Sequence, residues 1–198
     1  IEMASEDYDR LVRLARRDEP VALSIDVRAQ FYDENHDGQN VLAEIPGRGS
    51  RPGIVMAGAH LDSWFMADGA VDNAAGSAVV MEAARILSAI GARPKRTIRF
   101  ALWDGEEQGL FGSIHHVKAH FASRPDTIDG KPVAPDDEWT ALQHAWPIKK
   151  GRDFERLSAY FNLDNGSGRI RGIYGEGNPA LQPIFERWIE PFHEFGAE

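Results

Sequence analysis

The sequence predicts an α/β fold, a three-layer sandwich whose mostly parallel central sheet carries helices on both faces. Three observations lead there. The run Ile54–Ala59 is short and almost wholly apolar, and Thr97–Trp103 is a second strand of similar length. A helical pattern follows each of them. Both runs also end in acidic or imidazole groups. Strands that are apolar throughout are those covered on both faces, and strand–helix alternation builds a sheet between helical layers. The 198 residues, 42% of them hydrophobic, suit one domain over 1–198 with a sizeable core.

Charge and composition remove several function classes. Lys and Arg number 22 against 31 Asp and Glu, a formal charge of −9, whereas a nucleic-acid surface wants clustered cations. Cysteine is absent, which excludes disulfides, thiolate catalysis and Cys-type zinc sites. No apolar run approaches the roughly 20 residues of a membrane helix. The chain opens at Ile1 without a start Met or signal peptide and reads as a piece of something longer.

Taken in order, Ser5 is a candidate cap for a helix with Tyr8, Leu11, Val12 and Ala15 on one face. From Val21 to Phe31 the period becomes two, predicting a half-buried strand, with Asn40 to Ile45 returning after a polar turn. Next come the apolar strand at 54–59, an Ala-rich helix from Asn73 to Gly91, the strand at 97–103 and a helix from Gln108 to Phe121. Gly91 and Pro94 mark the stop of the first of those helices. Residues 124–156 are polar, hold four prolines and read as a surface excursion. A strand from Leu157 to Leu163, a short one near Ile170 to Tyr174 and a helix from about Pro179 complete the pattern.

In open α/β sheets ligands bind beyond the carboxyl ends of the strands. There the sequence places His60 and Asp62, then Glu106 and Glu107, then Asp164, with Asp72 where the long helix begins. His60 and Asp62, two apart, lean to one face. They suit a metal-binding imidazole whose tautomer is fixed by a carboxylate. Asp72, Glu107 and Asp164 offer hard oxygen donors, one able to bridge two ions about 3.5–4 Å apart, an arrangement that holds hydroxide and polarises a carbonyl. Of the neighbouring Glu106 and Glu107, one can bind metal while the other acts as general base. Singly, each group has a plainer explanation: Asp72 or Asn73 as a helix cap, Glu106–Glu107 as a solvated pair, His60 as a hydrogen-bonded imidazole. Their joint occurrence at successive strand ends favours the metal site.

Four blocks carry a resemblance: Gly58-Ala59-His60-Leu61-Asp62-Ser63, Gly69 to Gly76, Trp103 to Ser113, and Tyr160-Phe161-Asn162-Leu163-Asp164-Asn165-Gly166. Over nearly the whole chain, and in the same order, it resembles the co-catalytic dizinc aminopeptidases, in the plasma glutamate carboxypeptidase-like branch. That resemblance implies a zinc exopeptidase-like sandwich in which His60 and Asp164 hold the first zinc, Asp72 bridges both ions and Glu107 binds the second. It implies Glu106 as general base, taking a proton from metal-bound water and returning it to the leaving amine, Asp62 as the partner of His60, and a cis-type peptide between Asp72 and Asn73. Relatives complete the second zinc with a histidine far downstream. Only His193 follows Asp164, too early to take that role, so the chain is expected to be the central part of a peptidase truncated at its C-terminus. Periplasmic or secreted location is suggested by the resemblance alone.

Other motifs are set aside on physical grounds. Asp33, Asn35, Asp37, Gly38 and Glu44 match a calcium-loop pattern, but an EF-hand needs helices on both flanks, and these flanks alternate with period two. His116 and His120 are spaced i, i+4, yet Val117 stands where a metalloprotease helix needs Glu. His115, His116 and His120 are therefore expected on a helix surface. Gly166-Ser167-Gly168 lacks the dinucleotide spacing and reads as a turn. Trp64 and Phe65 either line a substrate pocket or pack their own loop.

The expected activity is that of a zinc exopeptidase acting on small peptides, an aminopeptidase ahead of a carboxypeptidase or dipeptidase. The alternatives are a single-zinc, glutaminyl-cyclase-like enzyme and a binding domain that has lost its metals. The ligand set up to Asp164 is present, which speaks against the second; nothing in these residues separates peptidase from cyclase.

Overall fold

The computed structural model describes residues 3–30, 37–125, 127–133, 146–164 and 166–197. The chain divides into two units, Ile1–Asp37 and Gly38–Glu198. The first contains helix α1 (Ser5–Ala15), where Ala4 rather than Ser5 holds the cap position and no side chain caps the end. Residues 21–30, expected as a half-buried strand, form no regular element and are exposed. Period-two alternation states which face would be buried, but a strand also needs a partner for its backbone groups. Phe31 and the calcium-pattern residues Asp33 and Asn35 lie outside the described residues.

The second unit is built on one mixed sheet. Its strands are β1 (Val41–Ile45), β2 (Ile54–His60), β3 (Thr97–Trp103) and, later in the chain, β8 (Leu157–Asn162), in the spatial order β1-β3-β2-β8. Strand β2 runs parallel to both neighbours, while β1 pairs antiparallel with β3, Val41 opposite Leu102 and Ile45 opposite Ile98. The predicted return strand therefore exists but pairs with β3. Glu44, the last member of the calcium pattern, is bound by Arg99 at 2.7 Å.

Helices cover both faces, as expected. On one face Ala59 and Phe100 pack with Val80, Ala83 and Leu87 of helix α2 (Ala75–Ala89). Helix α4 (Gln182–Ile189) stacks Phe185 and Trp188 against Phe161 on that side. On the other face Ile54, Met56, Ala101 and Trp103 form a cluster with Phe121, which ends helix α3 (Phe111–His120). Part of the 124–156 excursion is held by short strand pairs. Strand β4 (Ala122–Ser123) pairs with β7 (Lys149–Lys150), and β5 (Thr127–Ile128) with β6 (Lys131–Pro132). The short strand expected near Ile170–Tyr174 is absent, and those residues are exposed. No helix among the described residues is long and apolar enough to cross a membrane.

The structure corrects one expectation about α3. His116 is buried, at 5% exposure, not on the helix surface. Its ring lies 5.1 Å from that of Trp103 and 4.5 Å from that of His120. Helical spacing alone does not show that this face is turned onto the large apolar end of β3. Burial, then the charges of His120, Arg99 and His115, push the imidazole down to about 4. His116 is thus neutral when folded but takes up a proton near pH 6.5 when unfolded, so stability falls as pH drops from about 6.5 to about 4, by up to about 3 kcal/mol. The slope is read as the difference in thermal unfolding between wild type and a His116 variant, because the raised pKa values of His60 and Glu106 act in the opposite sense in both proteins. His116→Phe, which keeps the ring contact, is expected to flatten it.

Candidate metal centre

The centre assembles at the carboxyl end of the sheet. Along β2, alternate residues Ile54, Met56, Gly58 and His60 share a face, and His60 is the last residue of the strand. It is 2% exposed, and Ser77 of α2 holds its carbonyl with a 2.7 Å hydrogen bond. Nδ1 of His60 faces the Asp62 carbonyl oxygen at 3.0 Å and Asp62 Oδ1 at 3.4 Å. With the proton on Nδ1, the Nε2 lone pair is directed at carboxylates. Asp72 Oδ1 lies at 3.0 Å, Asp164 Oδ1 at 3.2 Å and Glu106 Oε2 at 3.9 Å.

Three further segments deliver those carboxylates. Asp72 lies in the turn Ala70–Ala74 that leads into α2, where Asp72 and Asn73 have non-helical backbone angles, and the Asp72–Asn73 peptide is cis, as the resemblance implied. The turn is entered through Gly69 at φ 65°, where a Cβ would come within 2.7 Å of the Ser63 side chain. After β3 the chain turns through Gly105, and the backbone N–H groups of Glu106 and Glu107 donate to the two carboxylate oxygens of Asp62, each at 3.1 Å. Asp62 thus fixes both the imidazole and the loop bearing the two glutamates. Asn40 steadies the same loop, accepting from the Asp104 N–H at 3.1 Å and donating to the Gly112 carbonyl at 2.9 Å. Asp164 follows β8, where the Leu163 N–H donates to the Gly58 carbonyl at 2.9 Å.

The structure brings all six predicted residues, His60, Asp62, Asp72, Glu106, Glu107 and Asp164, to this end of the sheet. His60, Asp72 and Glu107 each present a ligand atom within 4.8 Å of the other two. Electrostatics reflects the crowding. Burial opposes the charged form of His60, but Asp164, Glu106 and Asp62 outweigh it and raise its pKa. Burial also raises that of Glu106; His60 opposes this, while Asp164, Glu107 and Asp62 reinforce it. His193 lies exposed on the turn Glu190–Phe195, and Asn165 is outside the described residues. Trp64 and Phe65 touch edge to face at 6.2 Å, with Phe65 85% exposed.

The donor set fits a zinc ion. A nitrogen lone pair and two carboxylate oxygens at 3.0 and 3.2 Å repel unless a proton or cation lies between them. A tetrahedral ion with ligands at about 2.0–2.1 Å spaces its donors about 3.3 Å apart, close to these values.

Sequence reasoning missed the residue that joins two ligand segments. Asn73, 1% exposed, accepts from the Gly76 N–H at 3.1 Å, so the helix-cap reading holds for it. Its Nδ2 also donates to the Leu163 carbonyl at 3.0 Å, the residue before Asp164. Only that second bond was illegible, since nothing local marks a partner 90 residues away.

Comparison with known proteins adds a second line. The model of peptidase family M28 matches residues 40–194. Carboxypeptidase Q of Mus musculus is 35% identical over 118 residues, covering 60% of this chain and 25% of its own. An aminopeptidase of Pseudomonas aeruginosa strain UCBPP-PA14 is 32% identical over 163 residues, 76% of this chain and 24% of its own. Among solved structures, a peptidase M28 precursor from Shewanella amazonensis SB2B superposes with a TM-score of 0.50 at 29% identity, covering 77% of this chain and 28% of that one. The chain spans about a quarter of the length of the curated relatives it matches.

Proposed function

The chain belongs to peptidase family M28, and from that footing we propose that it carries the metal centre of a zinc-dependent exopeptidase, first of all an aminopeptidase, acting on small peptides. The observation that carries this reading is the His60 Nε2 atom facing Asp72 and Asp164 at 3.0 and 3.2 Å, with a Glu107 oxygen within 4.8 Å of ligand atoms of His60 and Asp72. In it His60 and Asp164 would hold a first ion, Asp72 would be shared with a second, and Glu107 would serve that second one. Zinc held there would supply Lewis-acid polarisation of the scissile carbonyl and a lowered pKa for water.

The chain's own groups do the rest. Glu106 accepts the proton of the attacking water on its carboxylate and passes it to the leaving amine, which needs a carboxyl whose pKa lies above the ordinary range; burial pushes it that way. Asp62 holds the Glu106 and Glu107 backbone in place through both its oxygens, keeping base and metal ligand apart on adjacent residues. It also keeps the His60 proton on Nδ1, so that the Nε2 lone pair stays free to bind a metal. Unblocked dipeptides are expected to be hydrolysed and N-acetylated ones spared, read as release of free amino acid. Cleavage of the blocked peptides would instead point to a carboxypeptidase.

A further inference from the structure

Trp103, Tyr160 and Asn162 form a hydrogen-bonded strap across the sheet. The Trp103 indole Nε1–H donates to the Tyr160 hydroxyl at 2.6 Å, and that hydroxyl donates to Asn162 Oδ1 at 2.6 Å. Trp103 is on β3 and Tyr160 on β8, strands that do not pair with each other because β2 lies between them. The strap crosses β2 above Gly58. A Cβ there would stand 2.5 Å from the Tyr160 hydroxyl oxygen and 3.0 Å from Trp103 Nε1, so only glycine leaves the passage open.

The strap matters because each end leads directly into a ligand-bearing loop. Trp103 is the last residue of β3, and Asp104 to Glu107 come next; Asn162 is the last of β8, two residues before Asp164. Between β2 and β8 the paired register also stops at Gly58 and Asn162. The β2–β3 register runs on to His60 and Trp103, so past Trp103 on one side and Asn162 on the other the two carboxylate-bearing loops are no longer spaced by strand pairing. Trp103 is buried and backed by the His116 ring, so it offers a fixed anchor.

We propose that Tyr160 is a positioning residue for the metal centre: its hydroxyl, reaching Trp103 over Gly58, sets the separation between Glu106–Glu107 on one side and Asp164 on the other. The inference rests on the metal-centre reading above. Tyr160→Phe removes the hydroxyl alone and leaves the indole N–H and the Asn162 oxygen without it. Gly58→Ala leaves the hydroxyl but obstructs its path.

The test is zinc affinity, measured by competition with a chromophoric chelator, alongside the thermal unfolding midpoint of the zinc-free protein. Tyr160→Phe is expected to bind zinc about 10-fold more weakly, or worse, as loss of a supporting hydrogen bond around a metal site does. Its zinc-free unfolding midpoint is expected to fall by no more than several degrees, the effect of one buried indole N–H left unpaired, so that it stays folded at the assay temperature, and Gly58→Ala is expected to change affinity in the same direction. Wild-type zinc affinity in Tyr160→Phe overturns the proposal, as does a loss explained by unfolding of the zinc-free variant at the assay temperature. Asp72→Ala separates the two layers. If it loses zinc while Tyr160→Phe does not, only the strap's role fails; if it binds zinc like wild type, the metal-centre reading fails and the strap's role with it.

Discussion

Glu106→Gln is expected to lower kcat by roughly 10²–10⁴-fold, the contribution of a positioned general base, with zinc content unchanged. The substitution keeps the volume and one carbonyl oxygen but removes the basic site. The backbone at 106 is untouched, since its N–H is held by Asp62 and not by its own side chain. Glu107, the proposed ligand, keeps its separate bond to the other Asp62 oxygen. Steady-state kinetics on an unblocked dipeptide, with elemental zinc analysis of the same sample, reads both quantities. A variant with wild-type kcat removes Glu106 as the base.

Asp72→Ala is expected to empty both proposed ion positions. Its carboxylate has 43% side-chain exposure and stands 3.0 Å from His60 Nε2, so it is poised between the imidazole and open space. The fall in zinc affinity is expected to exceed the roughly 10–100-fold seen when a supporting hydrogen bond is lost, because here a direct donor disappears. The local fold has independent support: Asn73 still caps α2 and still grips the Leu163 carbonyl. Zinc retained after desalting at the wild-type level would rule out a bridging Asp72.

The contrast between these side chains and the rest of the chain shows what a sequence can disclose. Strands β2 and β3 were legible because burial on both faces leaves a run with few polar residues. The gathering of the candidate ligands was legible because His60, Asp62, Glu106 and Glu107 follow such runs, Asp72 opens the helix after one, and Asp164 follows the edge strand β8, and strand ends are where α/β folds gather ligands. Residues 21–30 misled for a related reason: alternation records a preferred face, but pairing is decided by a partner strand that the local pattern does not contain. His116 misled because helical spacing does not say which face meets the sheet. Asn73 and Tyr160 act through partners 90 and 57 residues away, and a separation of that kind leaves no local trace. Gly58 belongs with them; its small size is explained only by the two side chains that meet above it.

The central claim is that His60, Asp72, Glu107 and Asp164 bind zinc together. Anomalous difference density collected at the zinc absorption edge, on crystals of the zinc-reconstituted protein, tests it most directly. The account predicts a peak about 2.0–2.2 Å from His60 Nε2 and from carboxylate oxygens of Asp72 and Asp164, with any second peak beside Asp72 and Glu107. No peak at His60, or a peak held by other residues, would contradict it.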